Sequence, residues 1–323
     1  MKRLILFVVA LFATSTLSAQ QFEATFEDAT LRLDYTFMGN ASEQYIAISE
    51  LSSTPNWWGR RINLDNVPLK GNGDITLRDA QSGKVIYMTS FSSLFQEWIT
   101  TEEALRVTRS FEFTLLVPMP KQSVVATLVL RDNTGKESSH TFTIDPQDVL
   151  IRDNSKIKPQ PYTYIHKGGD SKECIDVAIL AEGYTAEEME LFMEDAKITA
   201  EEILSYEPFK SHSDKFNFIA VASPSVDSNV SVPQQEAWRS TAVGSNFMTF
   251  YMPRYLTSGE VYKMYDLATN IPCEHFIILA NTDTYGGGGI FNSYTLTTAH
   301  HPSFRPVVVH EFGHSFGGLG DEY

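Results

Sequence analysis

His310, Glu311 and His314 stand in the order His-Glu-x-x-His within Arg305-Pro306-Val307-Val308-Val309-His310-Glu311-Phe312-Gly313-His314-Ser315-Phe316-Gly317-Gly318-Leu319-Gly320-Asp321-Glu322-Tyr323. On a helix, residues four apart share one face, about one turn from each other. Two imidazoles so placed can bind one Zn²⁺ through nitrogen. The intervening Glu311 then lies beside the open position of the metal, where it can take a proton from water. Glu311 is therefore the candidate catalytic base, and His310 and His314 are candidate ligands.

A zinc site of this kind needs a third protein ligand. One arrangement uses a His six residues after the second His, past a glycine turn. Here Gly317 fits the turn, but Gly320 holds the ligand position and Asp321 follows it. A second arrangement uses a Glu from a separate downstream helix. The carboxylates after His314 are Asp321 and Glu322, and Asp321 is the preferred third ligand. Tyr285 and Tyr323 are candidate donors to a developing oxyanion.

The elements around the motif agree with it. Pro306 suits a first helical turn, where its missing N–H has no partner to lose. Val307, Val308, Val309, Phe312 and Phe316 are expected to bury the helix, and Gly317, Gly318 and Gly320 to end it. Upstream, strands and helices alternate. Ile175 to Leu180, Phe216 to Ala222 and His275 to Asn281 read as buried strands. Thr185 and Glu188 form a capping box before a helix running to about Tyr206, whose many acids read as a solvated face. Tyr285-Gly286-Gly287-Gly288-Gly289 has no Gly-Lys-Ser/Thr sequel, so it is no phosphate loop. It reads either as a flexible turn or as the rim of a cleft whose next strand offers an edge to a peptide. His300 and His301 read as loop surface rather than as ligands.

Residues 20–152 show period-two alternation, as in Thr30 to Phe37 and Ser123 to Leu130, with turns at Gly39-Asn40, Gly71-Asn72-Gly73, Ser82-Gly83 and Asn133-Thr134-Gly135. Short strands with such turns point to a β-sandwich. Trp57-Trp58 with Arg60-Arg61 reads as core plus stacked arginine, with a glycan or peptide contact as the other reading. Residues 153–170, polar and bearing Pro159 and Pro161, read as a linker to a domain over 171–323.

Residues 1–19 carry Lys2 and Arg3, an apolar run and a small-residue end, the pattern of a signal peptide cleaved near Ala19–Gln20. The run is short for a membrane span. The formal net charge of −15 becomes −17 without Lys2 and Arg3, which disfavours nucleic acid and anionic membrane as partners. The expected location is secreted, periplasmic or cell-surface. An oxidising compartment allows Cys174 and Cys273 to pair, although two separate buried thiols fit as well.

The leader, the β-rich first half, the Ile175 to Tyr184 segment with its capped helix, and above all His310 to Tyr323 resemble the IgA peptidase family of zinc metallopeptidases. The likeness covers nearly the whole chain. It implies an α+β protein, with an N-terminal antiparallel β-sandwich followed by a zincin-like α/β metallopeptidase domain. It also implies one catalytic zinc on His310 and His314, with Glu311 as base. Members of the family continue past this motif into a lower subdomain that walls the cleft. Ending at Tyr323, the catalytic domain therefore reads as truncated at its C-terminus. The expected function is hydrolysis of peptide bonds in protein or peptide substrates, host glycoproteins among the candidates. The alternatives are a glycan- or protein-binding module with a degenerate zinc domain, and a zinc amidase acting on cell-wall peptide.

Overall fold

The computed structural model describes residues 22–321, so the leader, Glu322 and Tyr323 lie outside the described residues. The first half is built from alternating strands. β1 (Phe26–Gly39), β2 (Gln44–Pro55), β5 (Arg109–Pro120) and the two-residue β8 (Arg152–Asp153) form one sheet, in the order β5-β1-β2-β8. β3 (Gly73–Asp79), β4 (Val85–Phe91), β6 (Val124–Arg131) and β7 (Glu137–Ile144) form a second, in the order β4-β3-β6-β7. All pairings are antiparallel except the short one between β2 and β8. Alternate residues of both sheets, among them Leu31, Leu33, Ile75, Leu77, Ala126 and Leu128, face one shared core, as a sandwich requires. A five-residue helix, α1 (Leu94–Trp98), follows β4, with Ser93 as N-cap.

Trp57 is buried in this core and its Nε1–H donates to the Arg60 carbonyl. The Arg60 guanidinium lies over Tyr87 and that of Arg61 over Phe22. Core packing with stacked arginines therefore accounts for Trp57, Arg60 and Arg61, whereas Trp58 is half-buried outside the core.

The second half is a six-stranded sheet, in the order β13-β14-β12-β10-β11-β9. Its strands are β9 (Tyr162–Lys167), β10 (Ile175–Glu182), β11 (Phe216–Val221), β12 (His275–Ala280), β13 (Gly287–Ile290) and β14 (Tyr294–Thr298). The four central strands are parallel and the two edge strands antiparallel. Val177, Ile179 and Ala181 face a core with α2 (Met189–Ile203) and α4 (Phe304–Gly317). Ala178 and Leu180 face the opposite core, with Val243, Leu256 and α3 (Val261–Leu267). Both faces are covered, which is why β10 to β12 read as continuous apolar runs rather than as alternating ones.

Three expectations change. The segment 153–170 is not linker throughout, since Tyr162–Lys167 is the edge strand β9 on β11. Cys174 and Cys273 are free, buried thiols and not a disulfide. The Cys174 thiol turns to the Asp214 carbonyl, whereas Cys273 is buried in the core beneath α3. The acids of α2 are not all solvated, because buried Asp195 accepts from the Tyr184 hydroxyl at 2.7 Å and lies 2.8 Å from His300 Nε2.

The two halves are fastened by hydrogen bonds. Buried Arg32 of β1 reaches Asp34 (2.8 Å), Asp266 of α3 (2.5 Å) and the Tyr262 carbonyl (3.1 Å). The Tyr262 hydroxyl donates to the Tyr35 carbonyl and its N–H to Glu112. Among the described residues, no helix is long and apolar enough to cross a membrane.

Candidate metal centre

Helix α4 forms despite three β-branched valines in its first turns, which helix propensity disfavours. Packing explains it, because Val308 and Phe312 are fully buried, each stabilising by roughly 1.5–3 kcal/mol. Pro306 sits in the first turn. The helix stops at Gly318, whose φ of 61° is left-handed and favours glycine.

The reversal at Gly318 turns the chain back across the motif. Leu319 packs on Gly313 and Gly317, and its N–H donates to the Gly313 carbonyl. The Leu319 carbonyl oxygen lies 2.6 Å from His314 Nδ1. A carbonyl only accepts, so Nδ1 carries a proton, and in the neutral tautomer Nε2 is the nitrogen left to accept or ligate. His310 Nε2 lies 2.9 Å from His314 Nε2, and Asp321 Oδ1 lies 3.3 Å from each. A tetrahedral zinc with bonds of about 2.0–2.1 Å holds neighbouring ligand atoms about 3.3 Å apart. The triangle therefore has the size such an ion needs, with two imidazole nitrogens and one carboxylate oxygen as its corners. Among the described residues, His310, His314 and Asp321 are the group whose atoms converge in this way. His300 does not join them, and His301 Nδ1 accepts from the Ser303 N–H.

Glu311 is half-buried beside the triangle. Burial pushes its carboxyl up to about 7, with Asp321 adding to the shift and His314 and Arg254 opposing it.

The glycine run has a steric cause. β13 lies so close to α4 that a Cβ at Gly289 would sit 2.3 Å from the Glu311 carbonyl oxygen and 2.8 Å from His314 Cβ. A Cβ at Gly288 would sit 2.8 Å from the Tyr255 ring. The run is thus a strand thinned to seat the motif helix, not a flexible turn. β13 is an edge strand, as the cleft-rim reading requires, but its edge is mostly covered. Gly287 donates to the Arg254 carbonyl and accepts from the Leu256 N–H, and the Phe291 carbonyl accepts from the Ser92 N–H. By strand alternation Gly289, between them, presents its N–H and C=O outward.

These elements surround a cleft of about 920 Å³ that contains His310, Glu311, His314 and Asp321. Tyr285 lines it, with its ring against His301. Tyr323 lies outside the described residues. One wall comes from the sandwich half, through Leu69, Lys70, Gly71, Ser92 and Glu97. Glu97 Oε2 accepts from the Tyr255 hydroxyl at 2.5 Å. Sequence reasoning missed Glu97, Arg254 and Tyr255. The signal for Glu97 was a lone carboxylate inside Leu94-Phe95-Gln96-Glu97-Trp98-Ile99.

Residues 163–323 match the family model described as IgA Peptidase M64, and residues 21–142 match the Peptidase M64 N-terminus. The chain belongs to the M64 peptidase family. The sandwich is thus the N-terminal domain of an M64 protein and the six-stranded half its peptidase domain. M64 peptidases are generally metallopeptidases, which agrees with the donor set on α4. No curated protein matches the chain.

Proposed function

We propose that this M64 protein is a secreted zinc-dependent endopeptidase, with His310, His314 and Asp321 as ligands and Glu311 as general base. The observation that carries the reading is the triangle of donor atoms, with edges of 2.9, 3.3 and 3.3 Å, beside half-buried Glu311 in a peptide-sized cleft. Bound zinc would supply Lewis acidity toward a carbonyl oxygen and a water acidic enough to react near neutral pH.

The residues of the chain do the rest. The Leu319 carbonyl holds the His314 ring in the tautomer that frees Nε2. Glu311 accepts a proton from water on its carboxylate and hands it to the leaving amine. Gly289 offers one N–H and one C=O, so an extended substrate would be held by a single rung of strand pairing. Tyr285 is the described candidate for steadying the oxyanion. The leader pattern in residues 1–19 supports export.

The test measures zinc per chain and cleavage of N-acetylated, C-amidated peptides by the mature protein and by Glu311→Gln. We expect close to one zinc in both and a loss of turnover of about 10²–10⁴-fold in the variant. Undiminished cleavage by Glu311→Gln would sink the assignment.

A further inference from the structure

We propose that Glu97, contributed by the N-terminal sandwich, selects substrates carrying a cationic group close to the cleaved bond: an alkylammonium or guanidinium side chain, or a free α-amine. The inference rests on the peptidase reading of the cleft and names the substrate chemistry that the cleft takes.

Glu97 is rigidly presented. Its five-residue helix is pinned at both flanks, with Leu94 buried in the core of the peptidase half and Phe95 and Trp98 in the core of the sandwich. Gln96 anchors the same helix to the Asn72 and Arg131 carbonyls at 2.7 and 3.1 Å. The carboxylate is thereby held in the cleft, close enough to the His314 imidazole for the two to interact electrostatically.

Its chemistry is unbalanced. Oε2 takes the Tyr255 hydroxyl, but no Lys or Arg pairs with this half-buried carboxylate among the described residues. Burial raises its pKa, and Tyr255 and His314 oppose the shift. A buried carboxylate lacking a cation is unfavourable. A phenol needs only one acceptor, which a neutral amide would provide, so Tyr255 alone does not explain a carboxylate here. An incoming cation would. The cleft's own cations, Lys70 and Arg254, are exposed at the rim, where solvent screens them more than it screens Glu97.

The test uses full mature chain loaded with zinc. Acetylated, amidated peptides carry one Lys moved through each position, each with a norleucine control, and a further set has a free N-terminus. Calorimetry on the Glu311→Gln protein should find one register in which the cationic peptide binds about tenfold tighter, or ~1.4 kcal/mol. The gap should vanish in Glu311→Gln/Glu97→Gln and persist in Glu311→Gln/Tyr255→Phe. In turnover, the Lys-to-norleucine ratio of kcat/KM should fall about tenfold in Glu97→Gln. The acetylated set reports side-chain recognition and the free-terminus set reports recognition of the α-amine. A preference that survives Glu97→Gln, or no preference in any register, overturns the proposal. If nothing is cleaved, the peptidase reading fails, and the calorimetry still decides on Glu97.

Discussion

Glu311 rests against Gly287: a Cβ on that glycine would come within 2.8 Å of Glu311 Oε1. The backbone of an edge strand thus sets where the candidate base can point. Gly287→Ala should push the carboxylate aside and lower kcat by about tenfold to a hundredfold, as small misplacements do, with zinc content unchanged. Gly289→Ala meets the Glu311 carbonyl oxygen instead, which is backbone and cannot swing away. That variant should lose about 1–3 kcal/mol of stability. Denaturant midpoints and zinc analysis on the pair separate the two effects.

The metal set makes its own prediction. His314→Ala should bind no stoichiometric zinc, and Asp321→Ala should bind it at least tenfold more weakly, because only two donors remain. Zinc added to the stripped protein should raise the thermal midpoint through linkage, and a chelator should reverse the rise. Equal zinc retention in wild type and Asp321→Ala would remove Asp321 from the ligand set.

Acid should weaken the joint between the halves. Asp28 of β1 accepts from Lys172 of the peptidase half at 2.8 Å and pairs with Arg61. Burial would raise its carboxyl, but Lys172, Arg61 and the Trp57 N–H outweigh burial and hold it at about 2. A depressed carboxylate stabilises the fold fully above its ordinary pKa of 3.8, and that stabilisation is lost as pH falls through about 2. Asp28→Asn should therefore be less stable than wild type at pH 6, by about 1 kcal/mol or less for so exposed a pair, and should converge with wild type near pH 2. Unfolding midpoints across that window are the measurement.

Alkali should act through Glu274, which flanks β12 and accepts from the Asp176 N–H at 3.3 Å. Burial pushes its carboxyl up to about 8, the Asp176 carboxylate adds to this, and the Asp176 N–H opposes it. The folded state then holds a proton that the unfolded chain releases. The stabilisation is complete below about 4.5 and is lost as pH rises through about 8. Each pH unit in that window removes at most about 1.4 kcal/mol, and less here because the residue is only half-buried. Glu274→Gln should flatten the decline and unfold at a higher temperature than wild type at pH 9. A parallel pH profile in the variant would refute this.

What could be read from the chain was local. The His-Glu-x-x-His spacing, the alternation of β1 and β6, and the Thr185–Glu188 capping box each lie within a few residues, and the structure carries all three. That Asp321 comes within reach of the two histidines could be anticipated because the turn at Gly318 is itself local. Glu97 and Tyr255 are 158 residues apart, and no local pattern connects them. The glycine run was left between a flexible turn and a cleft rim because the cause of its glycines is a helix that follows later in the chain. Strand β9 was hidden by Pro159 and Pro161 beside it, and the thiols were offered a pairing because sequence does not reveal which way a side chain turns.

The clamps on β13 reach beyond catalysis. A bare strand at the margin of a sheet is a template on which another copy can zip up, and a cleft that leaves its margin open to bind peptide invites that hazard. Here the Arg254–Leu256 segment closes one end at Gly287, and Ser92 closes the other at Phe291. The gap between them is one residue wide, too short to seed a stack. One of the two clamps, Ser92, comes from the sandwich domain, so that domain shields part of an edge belonging to the other half.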